Sequence, residues 1–558
     1  MLVVVRSAGA LHRLLDVLPV FRGDSRVVTR FTLAPGSDFD IDALAALDRS
    51  GARTMPWRDA LRARHDLILA ASPKGDLRRL SGPRVLLPHG AGFNKAVHGD
   101  GSPGTPSGLD PHYLLADGHP WADVHALAHE EQVTRLASYS PLAASRGVVV
   151  GDPTLDRLLA SVPHRDGYRA TLGTGPRRLI AVTSTWGPES LLARRPGLVA
   201  ELLGLLPHDT SQVALILHPN EYSAIGTFDL SGRLAPALDA GLVLAAPYEE
   251  WAAVLVAADA VVTDHGSTAL YAAALGTPVV NAYDSGDELL PGSPLARLLG
   301  SVPRLTSADA LEAALRTARS IDTRVHAADA FAHQGQALPR LRTHLYRLLG
   351  LKAEQADLDS PAFPQPTPPS RRPLAFAVRA EVTGDLIQVE RFPASTPRPT
   401  HHLAAEYPGA GPRQLQSAAV LWRRPAYGAS SSTSRRATWA SDGWDTQGWA
   451  AEQWTAEGWT AHALHEYPGC RTAAAILTQG RILIRHRSAG LLTARLELRR
   501  DGGRVSYPDP SAVVSAVHVW LGSGTPPASG ATLMCDTGAV AVRVHVEDPR
   551  TEELLYEL

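Results

Sequence analysis

The chain has 558 residues, of which 44% are hydrophobic and 20% charged, and its net charge is -2. This length is too great for one hydrophobic core and predicts roughly two to four domains, while the near-neutral charge argues against a general nucleic-acid binder. The two cysteines, Cys470 and Cys535, are far apart and in no metal-ligand spacing, so they indicate neither a disulfide scaffold nor a zinc site.

The composition also bears on origin and location. Nearly all basic residues are Arg, with Lys74, Lys95 and Lys352 as exceptions, and Ala and Gly are abundant, which suggests a GC-rich bacterial genome. The apolar run at residues 2–5 is typical of a first strand and not of a secretory signal, and no apolar run reaches the length of a membrane span. We therefore expect a cytoplasmic protein and leave peripheral contact with the inner face of the membrane open.

Residues 1–150 alternate short apolar runs with helical patterns, which predicts a parallel sheet with helices on its faces. The predicted strands are 2–5, 26–33, 66–70, 84–87, 123–127 and 147–150. The predicted helices are 11–20, 41–50, 59–64 and 130–136.

The predicted strand 84–87 leads directly into Pro88-His89-Gly90-Ala91-Gly92. This order places an imidazole and two glycines at the carboxyl end of a parallel sheet, where ligands bind in open α/β folds. A single His in a loop is more often a structural hydrogen-bonding group, and that interpretation of His89 stays open beside the functional one.

Residues 157–350 show the same alternation. The predicted strands are 178–183, 213–217, 242–245, 260–263 and 279–280, and the predicted helices are 198–206, 251–257, 294–299, 308–318 and 324–349. A polar loop with Thr185 follows the first of these strands, and His218 follows the second, again at the carboxyl ends of the strands.

The strand 260–263 is followed by Asp264-His265-Gly266 and then by Ser267-Thr268, which open a helix that Gly276 ends. Free backbone N–H groups and two hydroxyls at a helix start are the parts that hold a phosphate or diphosphate. The simpler alternative is that Ser267 and Thr268 only cap the helix.

Residues 351–373 are rich in proline and predict a semi-rigid linker. Beyond it, the alternation of apolar and polar residues predicts a β-rich domain, 374–558, with strands at 376–382, 386–391, 473–477, 481–487, 491–499, 513–520 and 539–546. Five tryptophans follow one another at every fifth position from Trp439 to Trp459. Their rings could form a glycan-binding surface. The alternative, that they pack into the neighbouring sheet or form a low-complexity insertion, is favoured here because burial is the usual fate of Trp.

Several motifs in residues 1–350 together resemble the CDP-glycerol glycerophosphotransferases, which are transferases of the GT-B class. The motifs are the Asp264 to Thr268 turn, His89-Gly90, the junction Gly151-Asp152-Pro153, the Thr185-Trp186 loop and His218-Pro219. Pro88, Ala91 and Ile216 depart from the residues usual in that family.

The resemblance implies an α/β fold of two Rossmann-like GT-B domains, 1–150 on the acceptor side and 151–350 for the nucleotide donor. It implies transfer of a glycerophosphate or glycosyl group from a nucleotide-diphosphate donor, preferably CDP-glycerol, to a polyol or glycan hydroxyl of a cell-surface polymer or lipid-linked acceptor, as in teichoic acid and cell wall biogenesis. His89 would be the general base and His218 would act on the diphosphate. The predicted donor-binding residues are Thr185, Asp264, His265, Gly266, Ser267 and Thr268.

No metal or further cofactor is required by this scheme, and no nucleic acid is expected as a partner. Two alternatives stay open: a GT-B glycosyltransferase or epimerase that uses a UDP-sugar, and a catalytically idle GT-B scaffold whose C-terminal domain binds a glycan or a protein.

Overall fold

The computed structural model places a parallel sheet in each of the two regions where apolar runs alternate with helical patterns. It describes residues 1–36, 40–88, 90–97, 100–284, 287–353, 358–395, 399–425, 454–477, 480–501, 504–506, 508–523 and 530–558. The chain divides into two units, the first made of residues 1–202, 213–238 and 242–370, the second of residues 203–212, 239–241 and 371–558. The predicted boundaries near residues 150 and 350 stay predictions.

The first sheet has six strands, and every neighbouring pair is parallel. In spatial order they are Arg30–Leu33, Leu2–Val5, Ile68–Ala70, Arg84–Leu86, Val124–Leu127 and Gly147–Val149. Alternate residues of the first strand enter separate cores, Val3 and Val5 on one face and Leu2 and Val4 on the other. Helices therefore cover both faces, which explains why these strands are continuous apolar runs.

The second sheet has five strands, in the spatial order Val243–Leu244, Ser211–Leu217, Arg178–Ser184, Ala260–Thr263 and Val279–Asn281. Numbered along the chain, this order is 3-2-1-4-5, the arrangement of dinucleotide-binding folds, whereas the first sheet has the flavodoxin-like order 2-1-3-4-5-6. The predicted α/β class is confirmed. A layout of two Rossmann-like halves of GT-B type stays a proposal.

Helices connect and cover these strands. The α-helices in this part of the chain are Ala8–Leu15, Asp40–Arg49, Trp57–Ala60, Pro111–Leu114, Glu130–Tyr139, Pro141–Ala144, Pro153–Ser161, Arg165–Thr171, Leu191–Arg194, Leu198–Leu205, Pro219–Ile225, Thr227–Arg233, Ala235–Asp239, Glu250–Ala257, Thr268–Ala274, Pro294–Ser301, Leu311–Ala318, Arg324–Ala328 and Ala337–Leu349. The 3-10 turns are Leu18–Phe21, Leu77–Arg79, Val162–His164 and Ala308–Ala310, and a small hairpin joins Leu115–Ala116 to His119–Pro120.

The single long helix predicted over 324–349 is wrong, because the chain bends between Arg324–Ala328 and Ala337–Leu349. The carboxylate of Asp156 accepts hydrogen bonds from the backbone N–H groups of Gly335 and Ala337, at 2.6 and 2.7 Å, and holds the bend. The second helix then packs its apolar face into a core of the first sheet. The chain thus returns to its first sheet after it has built the second.

The second unit contains a closed barrel of nine strands, so the predicted β-rich character is confirmed. The strands, in order around the barrel, are Ala375–Thr383, Leu386–Pro393, Thr532–Asp536, Ala541–Glu547, Gly490–Leu496, Arg481–His486, Thr472–Ile476, Val420–Arg423 and His402–Glu406. A separate hairpin joins Arg499–Asp501 to Arg504–Ser506, and the α-helices are Pro412–Ser417, Ala456–Glu466, Pro510–Gly522 and Thr551–Leu554.

The strand predicted over 513–520 is wrong, because these residues belong to the helix Pro510–Gly522. Asp509 caps its start by accepting from the N–H of Ser511 at 3.1 Å, and Pro510 occupies the first helical position. Every residue from Ser511 to Leu521 is buried, and the helix shares one core with residues from all nine strands. A helix buried all round lacks the polar face that would reveal its period.

The Trp repeat falls only partly within the described residues, since Trp439, Trp444 and Trp449 lie outside them. Trp459 lies on the helix Ala456–Glu466, with no solvent exposure, and packs into the second core of the barrel unit. Burial, the alternative favoured from the sequence, is confirmed for this residue. Of the described helices, none is both long enough and apolar enough to span a membrane.

Candidate functional site

A cavity of about 610 Å³ lies in the first unit, lined by loops that follow strands of both sheets. They include the loops that begin at Leu87, Thr185, His218 and Asp264. Each of them follows the carboxyl end of a strand, the edge at which open α/β sheets bind ligands. The cavity therefore contains most of the residues that the sequence singled out.

Asp264 is buried and acts within the protein as a hydrogen-bond acceptor. Its carboxylate accepts from the backbone N–H groups of Thr185 at 2.8 Å, Leu191 at 2.9 Å and Gly266 at 2.9 Å. Burial raises the pKa of Asp264, while His265 and the N–H donors act in the opposite direction. The carboxylate thus joins the Thr185 loop to the Asp264 turn, and the predicted contact of Asp264 with a donor stays a prediction.

Ser267 and Thr268 begin the helix Thr268–Ala274, and both line the cavity. Ser267 precedes the helix in the αR conformation and its side chain makes no capping hydrogen bond. Within the described part of the chain, the N–H groups and hydroxyls of these two residues have no protein acceptor. Helix capping, the simpler alternative considered from the sequence, is therefore not what the Ser267 hydroxyl does.

Lys95 belongs to this site, although the sequence did not mark it as a site residue. Its ammonium donates to the Thr185 hydroxyl at 2.8 Å and lies 3.9 Å from the Glu288 carboxylate. Burial lowers the pKa of Lys95, and the carboxylates of Asp264 and Glu288 raise it. Two features of the sequence could have indicated Lys95 as a site residue. It is one of only three lysines, and it follows a glycine-rich loop.

His265 is buried, and its Nε2 lies 2.9 Å from the Glu288 carboxylate, while its Nδ1 has no partner among the described residues. The backbones on either side of Glu288 pair with the segment around Lys95. The N–H of Ala96 donates to the Glu288 carbonyl at 2.8 Å, and the N–H of Leu290 donates to the Asn94 carbonyl at 3.0 Å. This pairing links the loop after the fourth strand of the first sheet to the loop after the last strand of the second.

His218 lines the cavity at the end of the strand Ser211–Leu217. Its Nδ1 accepts from the backbone N–H of Asn220 at 3.1 Å and caps the helix Pro219–Ile225. A ring nitrogen that accepts a hydrogen bond carries no proton, so neutral His218 holds its proton on Nε2. The ring of Trp186 lies 6.2 Å from that of His218, between centroids.

His89 lies outside the described residues, so its role as a general base stays a prediction. Its neighbours Pro88 and Gly90 line the cavity. A Cβ atom on Gly90 would lie 3.4 Å from the Oγ of Ser267, which shows how closely this loop approaches the Asp264 turn.

Another imidazole that sequence reasoning missed, His12, lines the cavity from the helix Ala8–Leu15. It stacks on Tyr248, with ring centroids 4.7 Å apart. Burial lowers the pKa of His12 to about 4, with smaller opposing and reinforcing effects from Glu249 and Arg157. Its position inside a predicted helix gave no functional signal.

The junction Gly151-Asp152-Pro153 supplies a buried anchor. The carboxylate of Asp152 binds the Arg13 guanidinium through two contacts of 2.7 Å, caps the following helix through the N–H of Leu155, and accepts from the Tyr271 hydroxyl at 3.2 Å. Arg13 belongs to the helix Ala8–Leu15 and Tyr271 to the helix Thr268–Ala274. One carboxylate therefore ties the first helix of the chain to the helix that begins at the Asp264 turn.

Comparison with known proteins found no matching protein-family model and no matching curated protein. Among solved structures, the wall teichoic acid polymerase TagF resembles the chain with a TM-score of 0.44 and 12% identity, over 63% of this chain and 89% of that chain. S. aureus MnaA, solved with UDP, resembles the chain with a TM-score of 0.42 and 11% identity, over 65% of this chain and 99% of that chain. UDP-GlcNAc 2-epimerase from Neisseria meningitidis, bound to UDP-GlcNAc, resembles the chain with a TM-score of 0.40 and 11% identity, over 62% of this chain and 98% of that chain. Solved structures of the kind predicted from the sequence are thus among those that the chain resembles.

Proposed function

We propose that the chain is a GT-B transferase that moves a glycerophosphate group from CDP-glycerol to a hydroxyl of a cell-surface polymer or lipid-linked acceptor. In this proposal the two parallel sheets are the two halves of the GT-B fold. One observation carries it: the N–H and hydroxyl donors of Ser267 and Thr268, which have no partner among the described residues, line the same cavity as Lys95 and His218.

These groups suit a diphosphate, which offers several anionic oxygens. Hydrogen bonds from an ammonium or a neutral donor to an anionic oxygen are about twice as strong as those between neutral groups. Lys95 would supply the positive charge, Ser267 and Thr268 neutral donors, and His218 the Nε2–H that its tautomer leaves on the ring. The Thr185 loop, held by Asp264, would lie beside the nucleotide.

In the proposed reaction the acceptor hydroxyl oxygen attacks the β-phosphorus, which bears the glycerol. A new P–O bond forms, the bond from this phosphorus to the bridging oxygen breaks, and CMP leaves with the electron pair and a negative charge on its phosphate. His218 and Lys95 would stabilise that charge, because fixed donors at the leaving group lower the barrier without reorganisation. The proton of the acceptor hydroxyl passes to a general base.

His89 is the proposed base. A general base works best when its pKa is near the working pH, and the ordinary pKa of His meets this condition. The pKa of His12, lowered by burial to about 4, makes that residue a weak base. His89→Ala should abolish turnover and leave donor binding largely intact; loss of donor binding, or retained turnover, would contradict this division of roles.

Calorimetric titration of the full chain with CDP and with UDP tests the binding site. We expect CDP to bind, and Lys95→Met to weaken binding about tenfold or more, since a hydrogen bond to a charged group contributes about 1.5–3 kcal/mol. Lys352→Met is the matched control, because Lys352 is exposed and does not line the cavity. Absence of binding to either nucleotide would overturn the proposal in favour of an idle scaffold.

Two variants separate the roles of the His218 ring. In His218→Asn the side-chain oxygen can still cap the helix at the Asn220 N–H, because Asn is a good N-cap residue, but the Nε2–H donor is lost. We expect His218→Asn to fold as stably as the parent and to lose nucleotide affinity. We expect His218→Ala to lose both stability and nucleotide affinity. An Asn variant with unchanged affinity would remove His218 from the donor site.

Turnover assays over a panel of CDP- and UDP-activated donors distinguish a glycerophosphotransferase from a glycosyltransferase or epimerase that uses a UDP-sugar. Release of CMP from CDP-glycerol supports the proposal. Release of UDP from a UDP-sugar, or its epimerisation, would instead identify the glycosyltransferase or epimerase alternative.

A further inference from the structure

Four imidazoles meet at one end of the barrel in the second unit, far in sequence from the site described above. His402 begins one strand and shares its inward face with Ala404, while His486 ends another strand and shares its inward face with Ile484. Side chains alternate between the two faces of a strand, so both rings are directed to the barrel interior. The central helix adds His518, and the exposed His401 completes the group at the rim.

Three of these residues place nitrogen atoms close together. One ring nitrogen from each of His401, His402 and His518 lies within 4.8 Å of the other two. The Nδ1 atoms of His401 and His402 are 3.0 Å apart. Two ligands bound to one zinc ion at about 2.1 Å and a tetrahedral angle are about 3.4 Å apart, so small shifts would accommodate an ion here.

One ring nitrogen of each buried histidine already has a hydroxyl group as its partner. The Nε2 of His402 lies 3.1 Å from the Ser515 hydroxyl, and the Nδ1 of His518 lies 2.8 Å from the Thr472 hydroxyl. Metal-binding histidines almost always donate their second N–H to an oxygen atom, which fixes the tautomer and the ring orientation, and a hydroxyl oxygen can accept that proton. These contacts leave Nδ1 of His402 and Nε2 of His518 as the nitrogens available to an ion.

We propose that His401, His402 and His518 bind one divalent transition-metal ion, with Zn²⁺ as the reference ion and water in the fourth position. Among the described residues the group contains imidazoles alone and no carboxylate. Such a donor set favours zinc, copper or nickel over the hard cations calcium and magnesium. Three protein ligands and an exposed His401 leave an open coordination position and a path from solvent.

The test uses the full chain without a histidine tag, treated with a chelator and then titrated with Zn²⁺ by calorimetry and with Co²⁺ by visible absorption. We expect about one ion per chain and the intense visible bands of a tetrahedral cobalt site. His518→Asn and His401→Ala should each weaken binding by at least about tenfold, in line with the cost of disturbing a metal site. His465→Ala, an exposed histidine of the same unit, is the control and should bind normally.

A second pair of variants tests the hydroxyl contact. Thr472→Val keeps the shape and removes the hydroxyl, and should weaken Zn²⁺ binding about tenfold, whereas Thr472→Ser should not. If the buried His518 variant does not fold, His401→Ala and the Thr472 pair still decide the question. A chain that binds no ion, or one whose binding is unchanged in both His401→Ala and Thr472→Val, would overturn the proposal and leave a hydrogen-bonded histidine cluster.

Discussion

Replacement of Asp152 should show that one buried carboxylate holds the first unit together. Arg13 and Asp152 have side chains that are 4% and 0% exposed, and they are joined by two contacts of 2.7 Å. Removal of one partner of such a pair leaves an uncompensated buried charge and costs about 3–5 kcal/mol. Asp152→Asn removes the charge but keeps a capping oxygen, and Asp152→Ala also removes the cap to Leu155, which costs about 1 kcal/mol more.

The expected loss of unfolding free energy in the Asp152 variants is large compared with a domain stability of about 5–15 kcal/mol. Because the chain has two units, a single transition cannot be assumed. The measurement is therefore urea unfolding followed by hydrogen-exchange mass spectrometry, with peptides from the strands Leu2–Val5 and Ala260–Thr263 as reporters of the two sheets. We expect both peptides to lose protection together, since Asp152 contacts helices next to both.

The control is the pair Arg297 and Asp329, whose side chains are 40% and 48% exposed at a distance of 3.0 Å. Exposed pairs contribute about 0–1 kcal/mol, so Asp329→Asn should change little. The double variant Arg13→Met with Asp152→Asn should lose less than the sum of the two single variants, because the two residues interact directly. An Asp152→Asn variant as stable as the Asp329→Asn control, or an additive double variant, would refute the role of the buried pair.

Three further outcomes follow from the structure. CDP affinity, measured by calorimetry, should fall as the pH rises through the lowered pKa of Lys95, because the ammonium binds phosphate and the free amine does not. Lys95→Met should abolish this pH dependence. Asp264→Asn should expose the loop over residues 185–191 to hydrogen exchange and weaken CDP binding, since a buried N–H group left without its acceptor costs about 1–3 kcal/mol; unchanged exchange would contradict the anchoring role. Trp459→Ala should destabilise the barrel unit by about 3–5 kcal/mol, and thermal unfolding should show a smaller loss for the less buried Trp454→Ala.

The sequence predicted local structure well wherever one physical signal dominated. The strand Ala260–Thr263 and the helix after it follow from a β-branched run, a tight turn, a run of good helix formers and Gly276, which has a φ of +71°. The same reasoning failed for Pro510–Gly522. Its Val-Val-Ser-Ala-Val-His-Val-Trp segment alternates like a strand, and only the surrounding barrel makes a helix buried on all sides stable there.

The candidate site was predictable to the extent that it depends on strand ends. Thr185, His218 and the Asp264 turn follow the carboxyl ends of parallel strands, and the cavity lies where such ends meet. Lys95 and His12 were missed because they reach the cavity through loop pairing and helix packing between distant segments. No periodicity in the sequence encodes those contacts.

The sequence by itself determined which residues form the parallel strands, where polar loops follow them, and that a β-rich region comes last, because these features depend on hydrophobic patterns within a few residues. Only the tertiary structure decided that Lys95 meets Thr185, that Asp152 joins two helices, and that three histidines from two distant segments share one space. Such contacts arise from strand order and packing, which bring together side chains that are many residues apart.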